Sequence, residues 1–215
     1  MTTIFHASEG YLTFDAPPQV IAAVAAYFRD CPRLSRDTTT DWSRVTIDPD
    51  FQRRIAAEYD GLPLVDPDPF DVVGASYRHL AFELHSQFYT IQRWGIRMVL
   101  SDADPYDSLA DAAADVVANS RLAVLSTEQT GGHPLLTDAE NDQFRFVHDI
   151  FGHLATGRNF DRHGEEAAFQ HHRTMFTPLA LPAMASETRG QNASLIINGE
   201  FGPQRAALMS AWAYR

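Results

Sequence analysis

Six of the nine histidines fall between residues 133 and 172, and a chain that gathers imidazoles so densely must fold to partner them. The centre of the stretch is Phe146-Val147-His148-Asp149-Ile150-Phe151-Gly152-His153, with acids at Asp149, Glu165, Glu166 and Glu187 around it. Imidazole mixed with carboxylate suits zinc, manganese or iron, whereas calcium and magnesium prefer oxygen donors alone. The single cysteine, Cys31, excludes an intramolecular disulfide and a Cys-based metal cage, and it fits a reducing compartment. The rest of the chain is therefore read as scaffold for a His/carboxylate centre.

A length of 215 residues, 45% of them hydrophobic, suffices for one sizeable core. The expectation is a single domain over 1–215, with 1–16 as an extended arm and 71–197 as the core of the metal site. A net charge of −11 without a basic stripe argues against a nucleic-acid partner. Met1 to His6 lacks a basic segment leading into an apolar one, and no eighteen apolar residues run together, so a cytoplasmic protein with no membrane partner is expected.

In chain order, Tyr11 to Phe14 reads as a short strand. Pro17-Pro18 opens a helix through Tyr27 or Phe28, and Asp48-Pro49 caps another that Asp60-Gly61 ends. The proline-rich segment 61–70 is a loop, either a surface connection or a lid. From Asp71 to Trp94 the apolar residues Val73, Tyr77, Leu80, Leu84, Phe88 and Ile91 recur at helical spacing, with His79 and His85 more simply surface residues than ligands. Ile96–Leu100 and Leu122–Leu125 are strand candidates flanking a helix over 107–119. Thr137-Asp138-Ala139-Glu140 matches a capping box and fixes the start of the next helix. Helices follow over about 161–175 and 183–197, and Pro203 opens a terminal helix packed on the core or on another subunit, which leaves a homo-oligomer open. The fold class is mainly α, with a small two-stranded β element.

An α-helix advances about 100° per residue, so the five-residue step from His148 to His153 separates the side chains by about 140°. They can share a metal only if both lean inward or if Gly152 loosens the turn. Glu165 and His172, seven apart, return to nearly the same helix face. They could line the cavity, act as acid and base, hold a second metal, or pair with each other. Glu166, His171 and His163 read as exposed, and His133 as a loop residue.

His148-Asp149-Ile150-Phe151-Gly152-His153 resembles the H-D-x-x-G-H segment of the pterin-dependent aromatic amino acid hydroxylases, over roughly residues 140–195. The resemblance implies that His148 and His153 bind a mononuclear non-haem iron and that a glutamate on a later helix completes the site. Glu187, 34 residues beyond His153 in Ala185-Ser186-Glu187-Thr188, is the match, while Asn159-Phe160 with Glu165-Glu166 falls where that family has an aromatic-plus-acid helix. The chain is shorter than the family's catalytic domain, and no pterin-binding loop or amino-acid pocket is matched, so the metal is what the resemblance carries over. Asp149 is then expected to accept a hydrogen bond from a ligand imidazole or a neighbouring backbone donor and so hold ring orientation. Arg189 and Gln191 are placed to engage a substrate carboxylate, with a salt bridge as the alternative for Arg189.

The expected function is an Fe(II)-dependent oxygenase or hydroxylase of a small organic molecule. A zinc- or manganese-dependent hydrolase, with Glu165 or Glu187 as general base, is the second reading. A module that uses metal only for stability is the third.

Overall fold

The computed structural model describes residues 14–64, 68 and 70–214, so the strand expected around Tyr11–Phe14 and most of the arm lie outside the described residues, as do positions 65–67 and 69 of the proline-rich loop. The helices begin where local chemistry puts them. α1 (Pro18–Asp30) and α2 (Pro49–Asp60) each carry proline in the first turn, and the Asp48 carboxylate accepts from the amides of Asp50 and Phe51. Asp71 caps α3 (Val72–Arg93), the longest helix, by accepting from Gly74 N at 2.9 Å.

Strands β1 (Arg97–Ser101) and β2 (Arg121–Leu125) pair in parallel, from Arg97 opposite Arg121 to Ser101 opposite Leu125. The connection through α4 (Leu109–Asn119) makes the pair parallel, since a tight hairpin could only return antiparallel. Arg145 supports β2 by donating to the Leu125 carbonyl at 2.8 Å. The capping box forms as expected, with Thr137 and Glu140 each satisfying the other's backbone amide at the start of α5 (Asp138–His148). α5 runs without a break into a π-helical turn, Asp149–Leu154.

Asp161 caps α6 (Arg162–His172), which tightens into a 3-10 turn at Arg173–Met175. The predicted helix over 183–197 forms, as α7 (Leu181–Ala185) running through a second π-helical turn at Ser186–Gly190 into α8 (Gln191–Asn198).

The helix predicted from Pro203 does not form: only Ala211–Ala213 makes a 3-10 turn. The preceding segment lies across the body and uses its groups outward, with Met209 N donating to Ser186 Oγ at 3.1 Å and Ser210 N to Glu58 Oε1 at 2.6 Å. Met209 and Ala213 are buried against Ile55, Tyr59 and Ala193, so apolar burial and side-chain acceptors replace the intrahelical ladder.

The main core packs α3 against α5, and the first π turn sits against α6, α5 and α1. Tyr77, Leu80, Leu84 and Ile91 of α3 share one apolar cluster with Phe146, Val147, Ile150, Phe151 and Leu154, all 1% exposed or less. The predicted stripe holds except that Val73 and Phe88 sit at its half-buried margin, while Gln87 lies within it at 0% exposure. No helix among the described residues is long and apolar enough to cross a membrane.

Candidate metal centre

The first π turn resolves the awkward spacing of the two histidines. A turn closed from residue i to i+5 stacks side chains five positions apart, whereas a regular α-turn would splay them. The His148 and His153 rings lie with centroids 5.2 Å apart and planes at 88°. The Thr156 hydroxyl serves the widened turn, bonding the carbonyls of Gly152 at 2.8 Å and His153 at 3.1 Å. Gly152 is where α6 presses closest: a Cβ there would lie 3.0 Å from Ala168 Cβ and 3.2 Å from His148 Cε1. A side chain here would make Ala168 or the His148 ring give way by a few tenths of an ångström.

That contact delivers the third donor. One ligand atom each from His148, His153 and Glu165 lies within 4.8 Å of the others; donors bound to one ion at roughly 2.0–2.2 Å stand about 3–3.5 Å apart, so the three side chains would draw together on an ion. His153 Nδ1 is 3.0 Å from the Arg158 carbonyl, which can only accept, so that nitrogen carries hydrogen and Nε2 is the ring nitrogen turned toward the group. His153 Nε2 is 3.5 Å from Glu165 Oε1, and Asn192 Nδ2 donates to Glu165 Oε2. His148 Nδ1 faces His172 Nδ1 at 3.1 Å, while His148 Nε2 is buried with no hydrogen-bond partner. A bare buried nitrogen beside an imidazole and a carboxylate is the donor set of a transition metal, and the residues fit one.

The electrostatics agree with a cation site. Burial, reinforced by the charge on His153, pushes His148 down to about 3. Burial also opposes charge on His153, but the neighbouring Glu165 outweighs it and holds the ring protonated above the usual histidine range. Burial would raise Glu165, and the charge of His153 reverses that and keeps it ionised. The proton shared by this pair sits where a metal cation would displace it. Asp149 is pushed up to about 7 by burial, with His153 pulling the other way.

Several expected roles are reassigned. Glu187 is not in the group, because its carboxylate is taken by three other donors: Tyr77 Oη, His133 Nε2 at 3.1 Å and Gln204 Nε2 at 2.7 Å. His133 Nδ1 accepts from the amides of Leu135 and Leu136 at 3.0 and 2.9 Å, so its hydrogen is on the nitrogen facing Glu187. The hydrogen bond expected from a ligand imidazole to Asp149 is made by neither ring; His172 and the Arg158 carbonyl hold the two Nδ1 atoms instead.

Arg189 is spent on a buried ion pair with Glu166 and on the Ala213 carbonyl at 2.7 Å, between the rings of Phe51 and Phe169, rather than on a substrate carboxylate. Gln191 donates to Gln204 at 2.7 Å. Glu166 and His171, read as exposed, are buried, because α6 is covered on one side by the first π turn and on the other by the second. His163 is half-buried and its Nδ1 accepts from Ile47 N at 3.1 Å, while His79 and His85 face outward. His172 belongs to the centre, though it pairs with His148 rather than with Glu165.

Sequence reasoning passed over Gln87, Asn192 and the Arg158 carbonyl. For Gln87 a signal existed: a polar side chain in the apolar stripe of α3 must find buried partners. Glu165 also borders a small surface recess lined by Ile47, Gln52, Arg162, Asn192 and Ile196.

Fold and site together define a mainly helical protein carrying a buried His-His-Glu group able to hold a metal ion. No family model, curated protein or solved structure matches this chain.

Proposed function

We propose that the protein is a mononuclear non-haem iron oxygenase or hydroxylase acting on a small organic molecule, with His148, His153 and Glu165 as the protein donors. The observation that carries this reading is the convergence of the unpartnered Nε2 of His148, the Nε2 of His153 and the Glu165 carboxylate within 4.8 Å. When bound, Fe(II) would supply dioxygen activation at positions that two histidines and one carboxylate leave to other ligands. The chain's own residues do the rest. Arg158 O and Asn192 fix the faces that His153 and Glu165 present, and the surrounding Phe151, Phe160 and Phe176 rings keep water from the imidazoles.

Two histidines and a glutamate also serve catalytic zinc, so the test must read metal and chemistry together. Anaerobic titration should show one Fe(II) per chain, followed by oxygen uptake with a reductant, and Glu165→Ala should weaken binding by at least about tenfold. A parent protein that binds no Fe(II), or a Glu165→Ala protein that binds as tightly as the parent, refutes the assignment. Tightly held zinc with ester hydrolysis and no oxygen uptake would replace it with the hydrolase reading.

A further inference from the structure

The orientation of one buried amide decides which nitrogen of His148 is free. The Met175 carbonyl can only accept, and Gln87 Nε2 lies 3.1 Å from it, with Tyr27 Oη donating to the same oxygen at 3.3 Å. The NH2 end of Gln87 is therefore the end at Met175, and its Oε1 is the atom 2.7 Å from His172 Nε2. An oxygen acceptor there requires hydrogen on His172 Nε2. The His172 ring is 0% exposed, packed on Phe151 and Phe176, and touches no carboxylate among the described residues, so it is neutral and its Nδ1 is a bare lone pair. That lone pair faces His148 Nδ1 at 3.1 Å. His148 must then carry hydrogen on Nδ1, which leaves Nε2 bare.

We propose that Gln87 and His172 are positioning residues that lock His148 in the Nδ1–H tautomer, keeping its Nε2 open to a metal ion. This rests on the metal reading above. The relay draws each link from a different part of the chain: Gln87 from α3, Met175 from the 3-10 turn after α6, His172 from the end of α6, and His148 from the end of α5. A backbone carbonyl starts it, and a backbone carbonyl cannot change its role. Without the Gln87 acceptor, His172 is free to carry hydrogen on Nδ1, and His148 then shifts its own hydrogen to Nε2, the atom that binds.

Two measurements test this. In metal-free protein labelled with 15N-histidine, long-range proton–nitrogen correlation should find His148 as the Nδ1–H tautomer and His172 as the Nε2–H tautomer; the opposite tautomer at His148 overturns the proposal without any variant. Anaerobic Fe(II) titration should then give Gln87→Met a Kd about 10–100-fold weaker than the parent, with Gln87→Glu, which keeps an oxygen facing His172, within about threefold of it. Gln87→Glu also sets a carboxyl oxygen against the Met175 carbonyl, so a purely structural role would weaken both variants in step with their loss of stability. Equal affinity in Gln87→Met and the parent overturns the positioning role. A parent that takes up no Fe(II) overturns the metal reading, while the tautomers still decide whether the relay exists.

Discussion

Gly152→Ala tests whether the close approach of α6 to the π turn builds the centre. The new Cβ would stand 3.0 Å from Ala168 Cβ, 3.2 Å from His148 Cε1 and 3.3 Å from Ala168 O, all inside the optimum carbon separation of about 3.5–4.0 Å. Alanine gains up to about 1 kcal/mol over glycine in a helix, and overpacking of a tight core costs about 1–3 kcal/mol, so the net change in stability runs from near zero to a loss of about 2 kcal/mol. The metal centre should suffer more. Relief requires α6 to retreat or the His148 ring to turn, and metal–ligand distances tolerate only about 0.2 Å.

Urea denaturation of metal-free protein, paired with anaerobic Fe(II) titration, should therefore show a modest stability loss beside a fall in affinity of about tenfold or more. Adding Ala168→Gly removes the nearest contact and should restore part of both, with a coupling of about 0.5–3 kcal/mol. A Gly152→Ala protein that matches the parent in stability and in Fe(II) affinity would refute the close-packing argument.

Glu187→Gln should leave Fe(II) affinity unchanged while lowering stability by about 1–3 kcal/mol, because the carboxylate that gathers Tyr77, His133 and Gln204 is lost; a loss of iron binding comparable to that of Glu165→Ala would return Glu187 to the ligand set. Arg189→Met strands the buried Glu166 carboxylate and should cost about 3–5 kcal/mol in chemical denaturation, with Arg189→Met/Glu166→Gln recovering much of it. His171 is held down to about 4 by burial, against 6.5 when unburied. Between these values the unfolded chain binds a proton that the folded protein refuses, so stability is fully present above about 6.5 and is lost as pH falls toward 4. At 1.36 kcal/mol per pH unit the parent should lose roughly 3 kcal/mol more than His171→Gln across that interval, and parallel stability profiles for the two would refute the assignment.

Much of the fold was legible because the signals were local. Asp48-Pro49, Asp71 and the Thr137–Glu140 box satisfy orphan amides within a turn of themselves, so they fix helix starts whatever the tertiary context. The alternation of apolar residues in α3 gave its buried face for the same reason. The helix expected after Pro203 failed because its amides found acceptors on Ser186 and Glu58, which no local pattern reveals.

The centre divides in the same way. The sequence by itself determined that His148 and His153 belong to a buried helix, that Gly152 needed an explanation, and that imidazole and carboxylate suit a transition metal. Tertiary structure decided the rest. Whether residues five apart share a face depends on a π turn, and this one is packed against Ala168 of α6. Which carboxylate completes the group depends on which later helix that packing brings close. α6 arrives against the π turn and presents Glu165, while Glu187 is drawn off by Tyr77, His133 and Gln204; such competition among distant partners has no signature in the spacing of the chain.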